Sequence, residues 1–285
     1  MRAVSGGCIH RTCKRRRKSK ETTSKPRTAA AGGALVPIIY KMKQLLTILL
    51  LFVTLSANCQ TVNYQKIWID SIESSKDFFN ELKPENKLET YQVFDFTLLI
   101  FPINEFYGFI GLDYTRIKMY FLSIKKDSSN QCLYHVVGAS VVKDNKCDFY
   151  GTITLEKIQE YQNMKLGLDS SFFGKSKSQG ILFGKYLFRE NSAQKHTGTF
   201  EGLVTITWYI DHHNILHYDN IEYYSDSYKN NQYVGTWTEY GSKNHRICNW
   251  GVYRIPFSGD LDIGAAEFSP NPKYLNNGWT DLEIK

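Results

Sequence analysis

The residues best spaced for chemistry are three carboxylates near the C-terminus. In SGDLDIGAAEF, Asp260 and Asp262 face the same way along an extended segment, with Glu267 close behind. Such a trio can supply an acid and a base for hydrolysis, or oxygen ligands for calcium. Carboxylates beside Gly259 and Gly264 can also accept bonds from their own loop's N–H groups, and that bland use is the expectation. Asp260, Asp262 and Glu267 therefore stand as the alternative catalytic set, with calcium as the alternative cofactor. The first expectation is neither catalysis nor a cofactor.

A second group is aromatic. NNQYVGTWTEYGSKNHRICNWGVYRIP places Trp237, Tyr240, Trp250 and Tyr253 on a hairpin. Exposed rings stack on sugars or on apolar ligands. Trp237, Tyr240 and Tyr253 are the candidate ligand-binding residues, and Trp250 the core anchor. On the strand Val234–Tyr240, Trp237 shares its side with Gly235 and Glu239. That company predicts the less buried face.

Other motifs carry less. In FFGKSKSQG, a phosphate loop would need a glycine where Asp169 stands. YIDHHNILHYD offers His212, His213 and His217 between Asp211 and Asp219, but DHHN has turn residues at both ends. No HExxH, GxSxG, GxGxxG or CxxC occurs, so no metal site is expected.

Compartment is legible at the other end. MKQLLTILLLFVTLSANCQ, Met42 to Gln60, has a basic start, an apolar run and a small-residue patch. That is a secretory signal, with an apolar stretch of about 7–15 residues. A membrane span needs about 20. Residues 42–59 are read as the signal peptide and residues 1–41 as a disordered or spurious upstream leader. Cleavage before Gln60 predicts an exported, soluble product in the periplasm or outside the cell. The alternatives are lipidation at Cys59, for which Asn58 is a poor preceding residue, and an uncleaved single-pass anchor. A membrane partner is expected only in those two cases.

Charge agrees with setting the leader aside. The chain has a net charge of +7, but residues 1–59 hold 12 of its 35 basic residues and one of its 28 acids. The rest is net acidic and lacks a dense basic run to neutralise phosphates, so nucleic acid is not an expected partner. Cleavage leaves Cys132, Cys147 and Cys248, an odd number that cannot all pair within one molecule. Cys132 and Cys147 start successive antiparallel strands and lie far apart. Cys147 shares a face with Phe149, Ile153 and Leu155 and reads as a buried thiol.

The elements that position these residues are strands. Tyr64 to Leu82 has helical spacing up to Pro84. From Thr90 on, aromatic and β-branched residues recur between turn clusters, giving strands at TYQVFDFTLLIF, TRIKMYFLSIKK, CLYHVVGASVV, CDFYGTITLEKI, GILFGKYLFRE, GTFEGLVTITWYID, NILHYDNIEYY, QYVGTWTEY and RICNWGVYRI. Residues 60–285 are read as one mainly β domain. It is an antiparallel meander of about eight to ten strands with one N-terminal amphipathic helix. A calycin-like barrel is the first architecture because closure removes edges; an open sandwich is the second.

YSDSYKNNQYVGTWTEY, CNWGVYRIPFSGDLDIGAAEFSPN and NNGW resemble a segment of exported bacterial proteins with no known activity, over residues 198–279. The resemblance implies bacterial export and transfers no site residue. The functional expectation is a non-catalytic exported β-protein that binds a small molecule, a glycan or a surface partner. A secreted hydrolase is the alternative.

Overall fold

The structure, a computed structural model, describes residues 63–282 except 78, 79, 103 and 227. Residues 1–59, read from the sequence as leader and signal peptide with Cys59 at their end, lie outside the described residues.

Helix α1 (Tyr64–Glu73) begins where the Asn63 side chain accepts the Lys66 N–H at 3.0 Å. It is shorter than its spacing predicts. At its end the Ser74 N–H and hydroxyl both donate to the Asp70 carbonyl, and the Ser75 N–H closes a tighter turn on the Ile72 carbonyl. Phe78 and Phe79, counted in the helical pattern, lie outside the described residues. Leu82 pairs instead with Tyr161 in an isolated bridge.

Among the described residues nine strands follow: β1 (Phe106–Ile110), β2 (Thr115–Lys126), β3 (Leu133–Val142), β4 (Asn145–Glu160), β5 (Ser176–Glu190), β6 (Gly198–Asp211), β7 (Leu216–Tyr218), β8 (Asn230–Glu239) and β9 (His245–Val252). All pairings are antiparallel. β5 pairs with both β4 and β6, and β9 returns to β1, so eight strands close an up-and-down, calycin-like barrel. β7 is a short addition to the outer edge of β6.

The lumen is aromatic. Phe106, Phe121, Phe149, Tyr186, Phe188, Phe200, Tyr233 and Trp250 form its core, with Tyr233 stacked on Trp250 at 4.8 Å. A small barrel has just enough room for such side chains. Gly235 makes part of that room: a Cβ there would lie 2.3 Å from the Tyr186 hydroxyl. Cys147 is buried two residues before the inward Phe149 on β4, which by alternation puts it on the same side, and burial pushes its thiol up.

One end of the barrel is plugged. The expected strand TYQVFDFTLLIF is in fact two helical turns, α2 (Leu88–Tyr91) and α3 (Thr97–Ile100). Asn86 and Asp95 accept the N–H groups of Leu88 and Thr97, and these local bonds override strand propensity. Phe96, Leu99 and Ile100 seal the lumen. Tyr134 accepts from the Phe96 N–H, and the Asn231 amide donates to the Leu99 carbonyl. NILHYDNIEYY is strand only at β7. β1, which sequence patterning did not single out, completes the closure.

Residues 254–282 pack on the outer wall, where Leu261, Ile255 and Trp279 cover Phe109. Among the described residues, no helix is long and apolar enough to cross a membrane.

Candidate functional site

The other end of the barrel is open. The turns β1–β2, β3–β4, β5–β6 and β8–β9 surround a cavity of about 530 Å³, within the range of roughly 300–1,000 Å³ usual for small-molecule sites. Ile110, Ile117, Val142, Phe200 and Trp237 supply its apolar lining. Lys143, Asp144, His196 and Arg246 stand in or beside the turns and give the mouth charges of both signs.

Glu190 belongs to this lining although only 4% of it is exposed. It ends β5 on the inward side, two strand steps beyond Tyr186 and one beyond Phe188. The Trp237 indole donates to Oε2 at 2.9 Å, the Gly198 N–H to Oε2 at 2.8 Å, and the Ser140 hydroxyl to Oε1. Burial raises its carboxyl above the usual range, and these donors only partly offset that. A carboxylate offers about four acceptor positions, so the three donors leave capacity for a ligand group.

The raised value has a consequence for stability. Below the unfolded-state pKa, near 4.3, both states carry the proton. As pH rises through the higher folded value, the unfolded chain has already released its proton, so the folded state loses stability. Glu190→Gln should remove this contribution, so that above about pH 4 its stability falls less, or rises more, with pH than that of the parent protein. Urea unfolding of both proteins across that window tests the sign; a steeper fall in the variant contradicts it.

The aromatic candidates divide between the two ends. Trp237 is a correction: it is 7% exposed and part of the core, not on an open face. Strand alternation grouped Gly235, Trp237 and Glu239 properly, but that side is the lumen. Glycine there accommodates Tyr186, and Glu239 reaches the mouth. The Arg246 guanidinium lies 5.8 Å from the Trp237 ring, so Trp237 meets the cavity as a hydrogen-bonded wall. Tyr240 is partly exposed at the same end and donates to the Glu190 carbonyl at 2.8 Å. Tyr253 lies at the far end of the β8–β9 hairpin, packed on Tyr223 and Tyr228, and its hydroxyl accepts from Asn104. Trp250 is the core anchor, fully buried.

The acidic trio does not converge on a cavity. Asp262 accepts from Arg254 at 2.6 Å and from the N–H groups of Gly264 and Ser269. Asp260 accepts from Lys273 and from the Tyr274 hydroxyl, which hold its carboxyl below the usual range. Glu267 is exposed on the same outer loop. Asp211 accepts the N–H groups of His213 and Ile215 and pairs with His217 at 2.9 Å, so DHHN is a turn. Among the described residues, no group of three His, Cys, Asp or Glu side chains gathers to hold a metal ion.

Glu190, Ser140, His196 and Arg246 were not singled out by sequence patterning. A signal existed for Glu190: a charge in register with inward aromatics in GILFGKYLFRE.

Against known proteins, the chain matches no family model, no curated protein and no solved structure. The resemblance over residues 198–279 therefore rests on its motifs alone.

Proposed function

We propose that this is an exported, non-catalytic barrel protein that binds a small organic molecule in its open mouth. The supporting observation is the asymmetry of the barrel. One end is sealed by α2 and α3, and the other opens on a 530 Å³ cavity with a buried, hydrogen-bonded carboxyl in its wall. The lining favours a ligand with an apolar body and a hydrogen-bond donor directed at Glu190. The alternative hydrolase has less support, because Asp260 and Asp262 are engaged by their own loop.

Thr115→Trp, at the rim, should fill the mouth and leave the core intact. Fragments that bind the full chain in ligand-observed NMR should weaken by at least about tenfold in this variant, with an unchanged melting temperature. Absence of any fragment binding, or equal binding to both proteins, would defeat the proposal.

Export rests on Met42 to Gln60. Residues 42–62 fused to a reporter active only outside the cytoplasm should produce signal in a bacterial host. An expressed but silent fusion counts against export.

A further inference from the structure

A second cavity, of about 310 Å³, lies on the outer wall between α1 and strands β5, β6 and β8. Ile69 and Ile72 of α1 pack on Ile181 and Phe183. The Trp68 indole donates to the Thr205 hydroxyl at 3.3 Å. Helix and wall thus enclose a pocket lined by Trp68, Lys165, Thr205, Thr207, Lys229 and Gln232.

The two lysines are held differently. Lys165 is buried and donates to the buried Asp219 carboxylate at 3.2 Å. Lys229 stands on the exposed side with its ammonium 5.6 Å from the Trp68 ring centre. Among the described residues, no carboxylate lies within ion-pair distance of Lys229. The surrounding protein, then Arg254 and Lys165, push its ammonium below the usual lysine range. An arriving anion would relieve that like-charge repulsion. The pocket also contains the carboxylates Asp77 and Glu222, and Glu222 acts on Lys165. Lys229 is the cation left to a ligand.

We propose that this pocket binds a small organic anion of about monosaccharide size, its carboxylate or phosphate on Lys229 and its body beside Trp68 and the threonine hydroxyls. The volume is at the lower end of small-molecule sites, about 300 Å³. Charge-assisted bonds to a lysine are stronger than neutral ones, so charge should separate ligands of otherwise similar shape. The site shares no lining residue with the barrel mouth, and either can fail alone.

The test is a nitrogen-15 NMR titration of the full chain with glucuronate, glucose 6-phosphate and glucose. Binding of either anion, with shifts centred on Trp68 and Lys229 and no comparable response to glucose, is the expected result. The anion that binds distinguishes carboxylate from phosphate. Lys229→Met keeps the stem and removes the charge, and should weaken binding by at least about tenfold; Lys229→Arg should restore part of it. The proposal is overturned if neither anion binds, if glucose binds as tightly, if Lys229→Met leaves affinity unchanged, or if the shifts map to the barrel mouth.

Discussion

Trp250→Ala should lower the stability of the barrel by about 3–5 kcal/mol, the expected range for emptying a large buried aromatic site. Trp250 is fully buried in the lumen, stacked on Tyr233, 5.1 Å from the Tyr186 ring and 6.1 Å from Phe200. These neighbours come from β5, β6 and β8, which closure fixes in place, so the wall cannot collapse into the void. Trp237→Ala should cost less, because its void opens onto the mouth, where water can enter. That change also removes one donor from Glu190, a loss on the order of 1–3 kcal/mol for a buried acceptor. Trp237→Phe isolates the donor while keeping most of the ring. Urea unfolding of the three variants checks the order. A loss below about 1 kcal/mol for Trp250→Ala, or a larger loss for Trp237→Ala, contradicts this account.

The strands were legible because alternation survives wherever the chain forms lumen and outer wall. Cys147, Phe149, Ile153 and Leu155 share a face in the sequence; all four are buried, and Phe149, Ile153 and Leu155 belong to the lumen core. The antiparallel meander was legible from the short turn clusters, and closure from the exposed edges that a barrel removes. What failed was deciding which face is inside when the inward set is not uniformly apolar. Gly235, Trp237 and Glu239 read as an open face; in a narrow barrel, glycine is where a partner's ring lies and the acid is where the lumen ends. The same rule would have marked Glu190 after Tyr186 and Phe188. The plug at 88–101 was missed because Asn86 and Asp95 decide it through side-chain bonds that strand propensity does not register.

The acidic segment illustrates how a candidate site can be structural. Arg254 lies at the centre of its loop. It donates to Asp262 and to the carbonyls of Gly264, Ala265, Ala266 and Asp226. Both members of the Arg254–Asp262 pair are largely buried, with side-chain exposures of 18% and 8%. Arg254→Ala leaves the Asp262 charge with only the Gly264 and Ser269 N–H groups and strips a donor from each carbonyl. Breaking a buried pair in this way should cost about 3–5 kcal/mol. The damage should concentrate in the segment that this loop begins. There, Leu261 and Trp279 cover Phe109 on the outer wall of β1. Hydrogen exchange should therefore show faster exchange at Leu261, Ile263 and Asn271, whose N–H groups bond within the loop, while the β5–β6 ladder remains protected. Arg254→Lys should recover little, since a single ammonium cannot reproduce the planar fork that serves several acceptors. Asp262→Asn should cost less than Arg254→Ala, because it removes the charge and leaves the arginine its carbonyl partners. If Arg254→Ala leaves exchange unchanged at those three amides, the clamp is not what holds the loop, and Asp262 again becomes a candidate for chemistry.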